Sequence, residues 1–114
     1  MRSPCPIANA LDLFGDKWTL LVVRDLMMFQ KSRYAELLES DEGIATNILA
    51  DRLKRLEEAG IVERVPYQER PARHGYVLTD KGRDLAPVLK SLAMWSITHV
   101  AGVASEPPEG VEPL

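Results

Sequence analysis

The sequence predicts a mainly helical α+β fold. Apolar residues recur at helical spacing in several segments, and the spacing changes to a strand-like alternation after Gly60. With 114 residues, the chain is long enough for one hydrophobic core and leaves no room for a second. We therefore expect one domain over residues 1–104 and a disordered, Pro- and Glu-rich tail over residues 105–114.

Composition and charge restrict the class of protein. No apolar run reaches the roughly 18 residues of a membrane span, and the first residues do not resemble a signal peptide. A single cysteine excludes an internal disulfide, so we expect a cytoplasmic protein. The net charge of −3 argues mildly against nucleic acid, and residues 31–74 carry eight basic and nine acidic side chains. A positive surface would therefore depend on how the cations are arranged.

Two helices are predicted in the first part of the chain. In the first, Ile7 and Leu11 recur at helical spacing, and Gly15 ends the helix. Asp16 is a suitable N-cap for the second helix, which we expect over residues 17–28. Because this second helix is apolar on most sides, it should be the central buried helix.

A helix, a turn and another helix follow, which is the outline of a helix-turn-helix. We expect the first helix over residues 34–39, without a strictly spaced capping box after Ser32, and the turn over residues 40–43. The second helix, about residues 45–59, has an apolar face and a polar face. Its apolar face consists of Leu49, Leu53 and Leu56. The polar face is typical of a helix that reads base edges, and also of any solvated helix.

A basic hairpin is predicted after Gly60, which suits a left-handed helix cap. Residues 61–67 and 76–79 alternate like strands, and the connection, residues 68–75, is polar and basic. Two strands joined in this way directly after a helix-turn-helix form a wing.

The last part of the chain is predicted to be helical. Thr79 should cap a helix that starts at Asp80, and Pro87 either kinks this helix or begins a new one. An apolar stripe then continues after the domain is closed, so it needs a partner. The stripe consists of Leu85, Val88, Leu89, Leu92, Trp95 and His99.

From Cys5 to about Trp95 the chain resembles the HxlR family of bacterial winged-helix transcriptional regulators, which are relatives of MarR-type regulators. The residues that carry the resemblance include Gly15-Asp16-Lys17-Trp18, Arg33-Tyr34-Ala35-Glu36-Leu37, Gly60-Ile61-Val62 and Tyr76-Val77-Leu78-Thr79. The resemblance implies binding to double-stranded operator DNA. It also implies a homodimer in which the N- and C-terminal helices of two protomers pack together. The interface residues would be Ile7, Leu11, Leu89, Leu92, Trp95 and His99.

Under this resemblance, the helix of residues 45–59 enters the major groove. Asn47 can bond adenine, and the methyl group of Ala50 can touch a thymine methyl group. The residues expected to face DNA from this helix are Thr46, Asn47, Ala50 and Lys54, with Arg55 on a phosphate. Ala45 stands where many family members have serine, which weakens the helix cap by about 1 kcal/mol unless Thr46 serves instead.

Other charged residues have alternative roles. Asp51 either accepts from a cytosine amine or orients Lys54 or Arg55, and Arg52 either pairs with Glu36 or Glu39 or contacts a phosphate. In the wing, minor-groove or phosphate contacts are expected from Arg70, Arg73 and His74. The candidate phosphate anchors at helix N-termini are Lys17 and Arg33.

Cys5 has two interpretations. Several HxlR-type regulators sense oxidants or electrophiles through a cysteine at this position, and a helix N-terminus favours a reactive thiolate. The alternative is a buried cysteine in a dimer interface. No metal site or cofactor is expected, because Cys5, His74 and His99 are far apart in the sequence.

An enzyme is not expected, since neither a nucleophile with its base nor a phosphate-binding loop is recognisable. The rival to DNA binding is a winged-helix module for protein–protein contact, which the acidic composition would suit.

Overall fold

The computed structural model describes residues 2–104, and within them the predicted mainly helical α+β fold class is confirmed. The predicted tail, residues 105–114, lies outside the described residues. The elements in chain order are α1 (Pro6–Phe14), α2 (Thr19–Met28), α3 (Tyr34–Leu37), α4 (Thr46–Glu58), β1 (Val62–Gln68), β2 (Arg73–Leu78), α5 (Asp80–Arg83) and α6 (Ala86–His99).

α2 begins at Thr19, two residues later than the sequence predicted. The carboxylate of Asp16 accepts hydrogen bonds from the backbone N–H groups of Trp18 (3.0 Å) and Thr19 (3.1 Å). These bonds close a turn over residues 16–18 before the helix starts. Asp16, predicted as the N-cap, therefore caps this turn, and the N-cap of α2 is Trp18. α2 then packs against α3, α4, α6 and β2, with Val22 and Val23 in the core.

α3 is shorter than predicted, because its last turn tightens. The N–H groups of Glu39 and Ser40 bond the carbonyls three residues earlier, Glu36 (3.1 Å) and Leu37 (3.3 Å). At the other end, the Glu36 carboxylate accepts from the backbone N–H of Arg33 at 2.9 Å. This is the reciprocal bond of a capping box that begins at Arg33, one residue after Ser32.

α4 contributes three buried leucines to the core. Leu49, Leu53 and Leu56 are each at most 2% exposed, as their spacing predicts. The helix ends at Glu58, and Gly60 follows the C-cap residue with a φ of +74°, the left-handed conformation that favours glycine. At its start, Ala45 offers no side-chain cap, and the Thr46 hydroxyl does not replace it.

The second hairpin strand is longer than predicted, whereas the first has the predicted length and lies one residue later. β1 and β2 pair antiparallel from Val62 opposite Leu78 to Gln68 opposite Arg73. A register shift after Pro66 lets the pairing continue past the proline, which is tolerated because both strands of a two-stranded sheet are edge strands. The connection is therefore reduced to residues 69–72, and Arg73 and His74 belong to β2 rather than to a loop.

Pro87 begins a new helix rather than kinking one. α5 ends at Arg83 and α6 starts at Ala86, with Pro87 in its first turn. Thr79 caps α5 as predicted, since its hydroxyl accepts from the N–H of Gly82 at 3.1 Å. One interface prediction is wrong: Leu89 is 8% exposed and packs into the core of its own protomer. The stripe therefore divides, with Leu89 turned inwards while Leu92 and Trp95 stay exposed.

Candidate nucleic-acid interface

Two contacts outside the leucine core fix α4 in place. At its N-terminus, the Tyr34 hydroxyl lies 2.6 Å from both the carbonyl oxygen and the hydroxyl of Thr46. Midway along, Arg52 Nε donates to Asp16 Oδ2 at 2.9 Å. The predicted partners of Arg52, Glu36 and Glu39, are wrong, because the flank of α4 that carries Arg52 faces the start of α2 rather than α3.

The Asp16 carboxylate is held in its charged form. Partial burial alone would raise the pKa of Asp16, but hydrogen bonds from the Thr19 hydroxyl, Arg52 and the backbone N–H groups of Trp18 and Thr19 outweigh it. The pKa of Asp16 therefore lies well below its usual range. As a result, α4 is tied to α2 by a charge-assisted bond at neutral pH.

The outward face of α4 is polar and accessible. Asn47, Ala50 and Lys54 are exposed, and Lys54 makes no ion pair within residues 2–104. Asp51 pairs with Arg52 and lies 3.7 Å from Arg55. The carboxylate therefore compensates part of the arginine charge on this flank, and Lys54 is left as the uncompensated cation of the face. Thr46 was predicted to contact DNA, but its hydroxyl is already hydrogen-bonded to Tyr34.

The hairpin presents cations beyond the body of the domain. Arg70, Arg73 and His74 are exposed, and the two arginines make no ion pair with any other described residue. Arg70 lies in the short connection, whereas Arg73 and His74 alternate at the start of β2. Because successive strand residues point to opposite faces, Arg73 and His74 project from different sides of the hairpin.

The two predicted anchors at helix starts lie against aromatic rings. The Arg33 guanidinium carbon is 4.1 Å from the centre of the Tyr67 ring, and Lys17 Nζ is 4.7 Å from the centre of the Trp18 ring. Arg33 occupies the N-cap of α3, as predicted. Lys17 lies in the turn before α2, so it does not begin a helix.

An ionic network around the buried Asp25, next to this surface, was not foreseen. Arg24 donates to the buried Asp25 (2.8 Å) and to Glu42 (2.7 and 2.9 Å), and Ser40 also bonds Glu42 (2.9 Å). The bond from Arg24 is the main reason that the pKa of Glu42 falls to about 2. The only signal in the sequence was the pair Arg24-Asp25 in an otherwise apolar helix. The network fastens the turn between α3 and α4 to α2.

A second surface, formed by α1 and α6, is apolar. None of the residues of α1 is buried, and Ile7 and Leu11 are 71% and 56% exposed. On α6, Leu92 and Trp95 are 53% and 63% exposed and line an open groove of about 510 Å³. His99 is exposed beside Trp95, with 5.1 Å between the ring centres. Cys5 is exposed at the start of α1.

Two other kinds of site are absent from the described part of the chain. Residues 2–104 contain no group of three or more His, Cys, Asp or Glu side chains placed to hold a metal ion. None of the helices in that range is long and apolar enough to cross a membrane.

Comparison with known proteins assigns this architecture. A family model described as HxlR-like helix-turn-helix matches residues 13–102. The HTH-type transcriptional regulator sll1512 of Synechocystis is 44% identical over 85 residues, which cover 75% of this chain and 62% of that relative. This chain therefore spans less than two thirds of the length of that regulator.

Two solved structures share the fold. The reduced form of the transcriptional regulator YodB from Bacillus subtilis superposes with a TM-score of 0.72 at 32% identity, covering 90% of this chain and 100% of YodB. The redox regulator HypR in its oxidized form superposes with a TM-score of 0.70 at 32% identity, covering 83% of this chain and 97% of HypR.

Proposed function

Because the chain belongs to the HxlR-like helix-turn-helix family of transcriptional regulators, we propose that it acts as a homodimer that binds operator DNA. α4 would enter the major groove, and the hairpin would contact the adjacent backbone or minor groove. The family and the relatives are transcriptional regulators rather than enzymes.

The observation that carries this proposal is the division of α4 into two faces. Three leucines hold one face in the core, so the other face is presented at a fixed orientation with Asn47, Ala50 and Lys54 accessible. An exposed amide, a methyl group and an unpaired ammonium are the groups with which side chains read base edges. Arg55 lies one helical turn from Asp51, where it can reach a phosphate while keeping its carboxylate partner.

The negative net charge is compatible with this role, because part of it is compensated by ion pairs within the domain. Asp16, Asp25 and Glu42 are each bonded to an arginine. By contrast, Lys54, Arg70 and Arg73 have no ion-pair partner in the described range. Phosphate attraction depends on such local charge within about 10 Å rather than on the total charge.

A specific observation favours a second candidate, a winged-helix module that binds another protein. Glu58, Glu63 and Glu69 are exposed near the end of α4 and along the hairpin. Carboxylates at these positions would repel phosphates and would suit a basic protein partner.

The two candidates are separated by a protection footprint on the DNA upstream of the chain's own coding region, with random duplex as competitor. We expect two protected half-sites whose centres are about 34 Å apart, one turn of B-DNA. If random duplex abolishes the protection as readily as unlabelled upstream DNA does, the protein does not read bases. Failure to bind either duplex at low salt would favour the protein-binding module.

The dimer part of the proposal depends on the apolar surface of α1 and α6. Ile7, Leu11, Leu92 and Trp95 expose more than half of their surface, and exposed apolar patches commonly mark a protein interface. Packing of α1 from one protomer against α6 of the other would bury them. Sedimentation of the wild type and of Leu11→Glu tests this: we expect a dimer and a monomer, respectively. A monomeric wild type at micromolar concentration would contradict it.

We also propose that Cys5 responds to oxidants. Cys5 is exposed at the start of α1, beside the proposed dimer surface, and HypR, a similar structure, is a redox regulator. With one cysteine per chain, two Cys5 thiols would join in an intersubunit disulfide, or Cys5 would form a mixed disulfide with an added small thiol; in either case diamide accepts the two hydrogens that the thiols lose. A Cys5→Ser variant whose DNA binding still changes after diamide treatment would contradict this role.

A further inference from the structure

Arg33 lies between the helix-turn-helix and the hairpin. Its backbone forms the N-cap of α3, and its guanidinium is stacked on Tyr67 of β1, with 4.1 Å between the guanidinium carbon and the ring centre. A guanidinium over an aromatic face at this distance is a cation–π contact. Arg33 therefore joins two parts of the molecule that are far apart in the sequence.

The backbone beside Arg33 is joined to the same hairpin. Arg33 forms an isolated antiparallel bridge with Gly75, and the N–H of Tyr76 donates to the carbonyl oxygen of Ser32 at 2.8 Å. Gly75 is buried at this point, and a Cβ built on it would lie 3.4 Å from Ser32 O and 3.7 Å from Tyr67 Cδ1. The stack and the backbone bonds thus meet at the base of the hairpin. We call this contact region, formed by Ser32, Arg33, Tyr67, Gly75 and Tyr76, the seam.

Beyond this seam the hairpin does not pack against the core. All residues from 66 to 74 are exposed, so packing against the core does not fix their direction. Two strands without a packed face are marginally stable by themselves. The direction of the distal hairpin, which carries Arg70 and Arg73, must therefore be set largely at the seam.

We infer that Arg33 is a positioning residue of the wing. Its stack on Tyr67 sets the angle at which the hairpin leaves the domain, and thereby decides which part of the duplex Arg70 and Arg73 reach. The consequence for DNA rests on the proposed function, whereas the positioning itself is a property of the free chain. This role differs from that of a phosphate anchor, because it requires the Tyr67 ring as well as the arginine charge.

The test uses Arg33→Ala, Tyr67→Leu, the double variant and the conservative control Tyr67→Phe. In the full chain, we expect Arg33→Ala and Tyr67→Leu each to weaken operator binding about two- to five-fold, the range expected from loss of an exposed cation–π contact. The double variant should bind the operator with an affinity no lower than that of the single variant with the lower affinity. Tyr67→Phe should bind like the wild type. A phosphate anchor predicts instead that Tyr67→Leu binds normally and that the losses add.

A second measurement is independent of DNA. The exchange rate of the Tyr76 amide, measured by NMR in the free chain, should rise about two- to five-fold in Arg33→Ala and Tyr67→Leu and should stay unchanged in Tyr67→Phe. Unchanged exchange in the first two variants would overturn the inference, as would additive losses of operator binding. If the wild type binds no operator, the proposed function fails and the exchange rates alone decide the positioning role.

Discussion

α4 and the hairpin are both proposed to touch DNA, yet they are held in place in different ways. α4 is fixed along its length by three buried leucines, by the bond between Arg52 and Asp16 and by Tyr34 at its start. The hairpin is fixed at its base and is exposed over residues 66–74. The difference teaches that packing along its whole length fixes the orientation of α4, whereas the orientation of the hairpin depends on contacts at its base.

The largest expected effect is on the buried side of α4. Leu53→Ala should lower the free energy of unfolding by about 2–5 kcal/mol, because it leaves a cavity next to Leu49 and Leu56. The control in the hairpin is Val77→Ala, at a side chain that is 39% exposed, and it should cost less than about 1 kcal/mol. Urea denaturation measures both values. Similar losses for the two variants would remove the contrast.

The outward side of α4 should affect binding without affecting folding. Asn47→Ala is expected to weaken operator binding by about 1–3 kcal/mol and to leave binding to random DNA nearly unchanged, because its amide is exposed and available to a base edge. Fluorescence anisotropy with the two duplexes at one salt concentration measures the difference. Equal losses on operator and random DNA would mean that Asn47 does not read bases.

The ionic contact behind α4 should make its stability depend on pH. Asp16→Asn is expected to cost about 1–2 kcal/mol at pH 7, through loss of the charge-assisted bond with Arg52. The pKa of Asp16 is lowered in the folded state, so its contribution is present above the unfolded value near 3.8 and is lost as the pH falls below it.

The difference between wild type and Asp16→Asn should accordingly shrink in acid. Asp41→Asn is the matched control, since Asp41 is exposed and makes no ion pair within the described residues. Thermal melts from pH 7 to pH 3 follow both variants. A constant difference over this range would argue against an ionised Asp16 as the stabilising group.

The smallest effect is expected at the tip of the hairpin. Arg70→Ala should leave the free energy of unfolding within about 0.5 kcal/mol of the wild type, because Arg70 is exposed and unpaired within residues 2–104. It should weaken binding to operator and random DNA alike and reduce the slope of log affinity against log salt by about 1. Lys90→Ala, which removes a cation from α6, should keep the wild-type slope.

Local signals were sufficient for the elements whose stability is local. The spacing of Leu49, Leu53 and Leu56 identified the buried face of α4, and Gly60 and Thr79 marked a helix end and a helix start correctly. Each of these features depends on neighbours within about one or two helical turns. The sequence contains that information without reference to the rest of the fold.

Other features depend on how the elements pack and were missed. Arg52 pairs with Asp16, which lies 36 residues earlier, because α2 and α4 cross at that point. Leu89 shares its helical stripe with Leu92, but packing against the core turns one inwards and leaves the other outside. The strands continue past Pro66 through a register shift that the alternation of residues could not reveal.

The buried Asp25 constrains how this protein can change by mutation. Asp25 is 2% exposed, and Arg24 neutralises it while also bonding Glu42. Replacing Arg24 alone would leave Asp25 with the longer contact to Lys31, whose Nζ lies 4.0 Å from the carboxylate, and breaking a buried ion pair in this way costs up to about 3–5 kcal/mol. Exchanging both Arg24 and Asp25 for well-packed apolar residues can be neutral. Stable variants are therefore expected to change positions 24 and 25 jointly.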